Sequence, residues 1–83
     1  MEYRKKNDVC ICVSSNGKTA CIGDKTKIED VKGVYILYKV LDFTPKSLST
    51  IVSETQESFP LVKPEETEMF LDELAEDGLI DRL

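Results

Sequence analysis

The residues of this 83-residue chain whose spacing most suggests chemistry are three cysteines, Cys10, Cys12 and Cys21. A Cys-x-Cys pair opposite a third cysteine brings three sulfurs onto one face of a hairpin, which is the beginning of a thiolate metal site. A fourth ligand is missing, and free cysteine commonly serves as a small apolar residue, so structural thiols are expected, with a Cys12 to Cys21 disulfide as the next reading. There is no histidine. Its absence removes the commonest general base, the triads built on it and histidine-containing zinc sites. A domain this small also has little capacity for a deep, water-excluded pocket. The expectation is a binding module that is not an enzyme and has no cofactor.

The net charge of −5 is unevenly placed. From Met1 to Asp42 eight basic residues stand against six acidic ones; from Phe43 to the end three face ten. Seven of those carboxylates, Glu65, Glu66, Glu68, Asp72, Glu73, Glu76 and Asp77, lie between Pro64 and Gly78 with no Lys or Arg among them. The longest uncharged apolar stretch, Gly33 to Tyr38, falls far short of the roughly 20 residues of a membrane span. Met1 to Asp8 is too charged for a signal peptide. A cytoplasmic location with reduced thiols and no membrane partner is expected.

The elements that must position these residues read as one domain over residues 1–83. Val9 to Val13 and Thr19 to Ile22 are β-rich, and Asn16-Gly17 between them predicts a two-residue type I′ hairpin turn. That turn pairs Ser15 with Lys18, Val13 with Ala20, Cys12 with Cys21 and Ile11 with Ile22, so valine, isoleucine and alanine share one face and the cysteines the other. Gly23-Asp24 makes a second turn. Lys25-Thr26-Lys27-Ile28-Glu29 follows as a short edge strand kept soluble by its lysines.

Asp30 caps a predicted helix from Val31 to about Leu41, with Val31, Val34, Tyr35, Tyr38 and Leu41 on one face and Ile36, Leu37 and Val40 around the rest, which makes it central and both tyrosines core residues. Ser47 caps a second helix in which Leu48, Ile51, Val52, Thr55 and Phe59 keep helical spacing. Phe59 to Val62 is a linker. Pro64 opens a third helix, with Phe70, Leu71 and Leu74 as its apolar stripe, and Gly78 ends it. Leu79-Ile80 then packs back as a short extended tail, while Arg4-Lys5-Lys6 is a solvated strand or tail, or a contact for a partner enzyme. The fold class is α+β, winged-helix-like, a three-stranded antiparallel sheet followed by three helices.

Gly33-Val-Tyr-Ile-Leu-Tyr-Lys-Val-Leu-Asp42, then Ser47-Leu-Ser-Thr-Ile-Val52, Phe59, and Phe70-Leu-Asp-Glu-Leu-Ala-Glu-Asp-Gly-Leu-Ile80 resemble the PqqD-like family, the RiPP recognition elements. The resemblance covers about residues 3 to 80. It implies a peptide chaperone that binds the leader peptide of a ribosomally made, post-translationally modified precursor. The leader adds as a strand beside the third strand, in the cleft against the last helix, for a tailoring enzyme acting in trans: a radical SAM enzyme, a leader peptidase or a cyclase. Carried over by position, the peptide-binding residues are Lys25, Thr26, Lys27, Ile28 and Glu29 on the strand and Glu66, Met69, Phe70 and Glu73 on the helix. Where family members often have Leu-Asn before the first helix, this chain has Glu29-Asp30-Val31, and Lys63 stands where a capping Ser, Thr or Asp is usual.

Two other functions compete. A winged-helix DNA-binding protein shares the layout, but seven carboxylates on the last helix repel phosphates, and phosphate contact dominates such affinity. The hairpin also precedes the helices rather than following them. A generic protein-interaction domain would use the same free strand edge for another partner.

Overall fold

Alternation of inward Ile11, Val13, Ala20 and Ile22 with outward Cys12 and Cys21 builds the first sheet of the computed structural model, which describes all residues from Met1 to Leu83. Its strands are β2 (Ile11–Val13), β3 (Ala20–Ile22) and β4 (Thr26–Ile28), after β1 (Glu2–Lys5). They run antiparallel in the order β2-β3-β4, with Ile11 opposite Ile22, Cys12 opposite Cys21 and Val13 opposite Ala20, the register predicted from the sequence.

The turn between β2 and β3 differs from expectation. Only glycines have positive φ, Gly17 at 71°, whereas a type I′ turn needs positive φ at Asn16 as well. The connection takes four residues, Ser15 to Lys18, closed by Ser14 N–H to the Thr19 carbonyl at 2.9 Å and Gly17 N–H to the Ser14 carbonyl at 2.9 Å. Asn16 Oδ1 accepts from Ser14 Oγ and from Lys18 N–H, so local side-chain bonds hold a wider loop without altering the register. The third strand is also shorter than predicted: Lys25 lies in the turn and Glu29 beyond the strand end.

Helix α1 (Val31–Tyr35) is capped by Asp30, whose side chain accepts from Lys32 N–H at 3.1 Å. It then widens into a π turn (Ile36–Val40), closed by Leu41 N–H on the Ile36 carbonyl. The buried face differs from the predicted one. Ile36, Leu37, Val40 and Leu41 all enter the core, while Tyr38 is 58% exposed and Val31 43% exposed. A wheel at α-helical spacing places Tyr38 with Val34, but the side of the helix that packs against Ile51, Leu71 and Leu74 is that of Ile36, Leu37, Val40 and Leu41, which leaves Tyr38 outside. Tyr35 stays half-buried, edge-on to Phe59 with centroids 5.4 Å apart. Lys46 Nζ, bonded to Glu54, also donates to the Val40 carbonyl at 2.7 Å and satisfies the end of the turn.

Strand β5 (Lys46–Ser47) leads into α2 (Leu48–Ser58), where Ser47 Oγ accepts from Thr50 N–H at 3.2 Å as the cap. Helix α3 (Pro64–Glu76) has no side-chain cap at Lys63 and ends at Gly78, whose φ is 74°. The tail beyond it becomes β6 (Ile80–Arg82).

The larger departure is a second sheet, in the order β5-β1-β6, in place of a loose N-terminus and a packed tail. Tyr3 pairs with Arg82 on one side and Lys46 on the other. Tyr3, Ile22, Leu37, Ile51 and Leu71 have no exposed surface and form the centre of the core. The architecture is α+β with three helices and two small antiparallel sheets. No helix is long and apolar enough to cross a membrane.

Candidate functional site

Backbone polar groups along a strand alternate in direction, so the partners of β3 decide which edge groups stay free. Thr19 and Gly23 bond toward β2, which turns Ala20 and Ile22 toward Ile28 and Thr26. The main-chain groups of Lys27 therefore point away from the sheet, and β4 has no neighbour on that side. Its lysines flank this open edge; Lys27 Nζ lies 3.4 Å from Glu29 Oε1.

Gly33 is where α1, β4 and α3 converge. A Cβ built on it would lie 2.9 Å from Phe70 Cε1 and 3.0 Å from Ile28 Cγ2. The absent side chain thus lets the ring of Phe70, half-buried on α3, close against α1 beside Ile28. A pocket of about 30 Å³ opens between α1 and α3, lined by Asp30, Lys32, Gly33, Glu66, Thr67 and Phe70 among others. Such a space suits one small polar group. Thr67 is 2% exposed, and its hydroxyl has no hydrogen-bond partner. An unpaired buried hydroxyl is costly, so Thr67→Val is expected to stabilise the free protein by about 1 kcal/mol in urea denaturation; an unchanged or lower midpoint would show that the hydroxyl is satisfied.

The predicted site residues do not all gather. Ile28, Phe70 and Glu66 meet around Gly33, and Glu66 Oε2 lies 3.5 Å from Lys32 Nζ, so part of its charge is already compensated. Thr26 and Lys27 supply the strand, with Lys25 and Glu29 flanking it. Met69 and Glu73 line a different, outward surface with Glu65, Glu68, Asp72 and Glu76. Lys32 and Gly33 were not singled out from the sequence for this site. The available signal was a glycine inside an apolar helical run, which usually has a packing reason.

The acidic face of α3 is tied to the second sheet by Asp72. Its Oδ1 accepts from the Tyr3 hydroxyl at 2.7 Å and from Arg82 at 3.1 Å. The Tyr3 hydrogen bond, with help from Arg82, holds the Asp72 carboxyl below its usual range, while burial and the same hydrogen bond push the Tyr3 phenol up.

The cysteines share the outer sheet face, as the register implies, but all three are exposed free thiols and do not pack as small apolar residues. Both neighbours of β3 point the same alternate positions away from the core, which leaves nothing over the sulfurs. Cys10 Sγ and Cys12 Sγ lie 3.7 Å apart, and the Cys10 thiol pushes the Cys12 thiol's pKa up. The side chains form no cluster of three or more metal-ligating groups.

No family model, no curated protein and no solved structure matches this chain.

Proposed function

We propose that this chain captures a leader peptide as an added strand on β4 and presents the attached core peptide to a modifying enzyme acting in trans. The observation that carries the reading is the open edge of β4, whose Ile28 meets the ring of Phe70 of α3 at Gly33, with the unpartnered Thr67 hydroxyl in the adjoining pocket. Strand addition takes affinity from main-chain bonds and specificity from pockets for alternate side chains, so no reactive group is required. The sheet β2-β3-β4 with α1, α2 and α3 supports the winged-helix-like arrangement of a RiPP recognition element, with β1, β5 and β6 as a second sheet. The enzyme is a radical SAM enzyme, a leader peptidase or a cyclase.

DNA binding is disfavoured by Glu65, Glu66, Glu68, Asp72, Glu73, Glu76 and Asp77 on or at the end of α3, which would meet phosphates of like charge. A different extended peptide at the same edge is the remaining alternative.

The test is to search the neighbourhood of this gene for a short precursor peptide and to titrate its leader into the labelled protein by NMR. Amides from Lys25 to Glu29 and of α3 around Phe70 should shift together, and Thr67→Val should weaken the complex. Glu66→Lys should weaken binding of a leader that carries Lys or Arg beside α3 about threefold at low salt and reduce its salt dependence, because the charge it meets near Gly33 is reversed. Shifts confined elsewhere, or retention on DNA at low salt in place of leader binding, would refute the assignment.

A further inference from the structure

The same sheet has a second open edge, and the largest cleft of the molecule lies beneath it. Ile11 and Val13 of β2 face Val31, Tyr35, Tyr38 and Phe59 across about 550 Å³. The size and the aromatic lining are those of a ligand groove. The main-chain register opens it further. Gly23 N–H bonds the Cys10 carbonyl and Ser14 N–H bonds the Thr19 carbonyl, each at 2.9 Å. Alternation then directs the N–H and C=O groups of Ile11 and Val13 away from β3, over the mouth of the cleft.

This edge lacks the usual protection. Lys25 and Lys27 flank the edge of β4, whereas Cys10 to Val13 carry no charge and no proline. A bare apolar edge invites pairing with another chain. The charge at the cleft identifies the kind of chain. Lys39 is its only charged lining residue, with Nζ 4.9 Å from the Tyr38 ring centroid. The ion pairs of the molecule leave Lys39 out. A second copy pairing through β2 would bring two such lysines to one two-fold interface between molecules that each carry −5.

We propose that β2 and this cleft form a docking groove for an extended, acidic partner segment. The segment adds as a strand to β2, its alternate apolar side chains enter the cleft and a carboxylate meets Lys39. The proposal does not depend on leader binding, because it uses the opposite edge of the sheet.

The probe is a blocked hexapeptide with valine at its first and third positions, glutamate at the fifth and serine at the others, so that both valines and the carboxylate lie on one face, titrated into the ¹⁵N-labelled full chain. Saturable shifts are expected at Ile11, Val13, Tyr35 and Tyr38, with Lys27 and Phe70 unmoved; replacing glutamate by lysine in the probe should abolish them. Val13→Pro removes an outward N–H while keeping the β2–β3 bonds of Cys12 and Ser14, and should abolish binding. Lys39→Glu, a surface change that keeps the folding test separate, should weaken it about fivefold, the size of one lost partly exposed ion pair. Shifts at β4 and α3 instead, no shifts at millimolar peptide, or equal affinity for Lys39→Glu would overturn the proposal. So would movement of the Ile11 and Val13 resonances with protein concentration alone, which would identify a second copy as the occupant.

Discussion

Tyr3→Ala is expected to unfold most of the protein at room temperature. The side chain of Tyr3 is wholly buried in the core with Leu37, Ile51, Leu71 and Ile80. Truncating an aromatic residue to alanine in such a site costs about 3–5 kcal/mol, which is the size of the whole net stability of a domain this small. Two further losses accompany it: the Tyr3 hydroxyl no longer donates to Asp72, and the middle strand of the second sheet loses the side chain that anchors it between β5 and β6. The check is the dispersion of an amide NMR spectrum together with urea denaturation. A cooperative transition at the wild-type midpoint would mean that the N-terminal strand contributes nothing to the fold.

Tyr3→Phe separates packing from the hydrogen bond. It keeps the ring and removes only the hydroxyl, and should cost about 1 kcal/mol, less than a fully buried charged hydrogen bond because Asp72 is partly exposed. The pH dependence has a definite sign. Asp72 titrates below its usual range in the folded state, so its contribution is present above the ordinary aspartate range and is lost as pH falls through the lowered folded value. The difference between wild type and Tyr3→Phe is therefore largest near neutral pH and shrinks in acid. At the alkaline end the raised Tyr3 phenol adds a loss of stability as pH climbs past the ordinary tyrosine value, and Tyr3→Phe lacks it.

Gly33→Ala is expected to have its largest effect on peptide binding and only a small one on stability. The new methyl would meet the Phe70 ring at 2.9 Å and Ile28 at 3.0 Å. Overpacking costs about 1–3 kcal/mol, but alanine regains about 1 kcal/mol over glycine in a helix, and the half-buried Phe70 ring is able to swing outward. The stability change should stay within about 2 kcal/mol. The displaced ring, however, lies at the end of the β4 edge, so affinity for a leader added there should fall at least about tenfold, as expected when an aromatic anchor leaves its place. Thermal denaturation and the titration read the two effects separately. Adding Phe70→Ala to Gly33→Ala should relieve the clash, so that the pair costs less stability than the two single changes together. Binding to Gly33→Ala as tight as to wild type would remove Phe70 from the site.

Much of the first sheet was legible because each of its determinants is local. Two residues of alternation on either side of a turn were enough to pair Ile11 with Ile22 and Cys12 with Cys21, and this register survived a change of turn type. Ser47 and Asp30 were readable as caps for the same reason: the bond each makes spans three residues or fewer. The π turn was not readable. Nor was the exposure of Tyr38, which depends on which of several apolar side chains the core accepts, a choice that an apolar run such as Ile36-Leu37-Tyr38 does not encode. At the candidate site, the strand, Phe70, Met69 and Glu73 were named alike from the resemblance by position, and only tertiary packing puts Ile28 and Phe70 together at Gly33 and Met69 and Glu73 on an outward face.

The sequence by itself determined the absence of histidine chemistry, the concentration of acid on the last helix, the three helices and the β2-β3 register, all of which depend on residue type and short-range period. Tertiary structure alone decided that Tyr3, between a charged neighbour and an exposed terminus, is a core residue in a second sheet. It also decided that Gly33 admits Phe70 against α1, and that both edges of the first sheet are open. Each of these rests on contacts between residues far apart in the chain, where the free energy comes from burial and complementary shape and leaves no periodic mark on either segment.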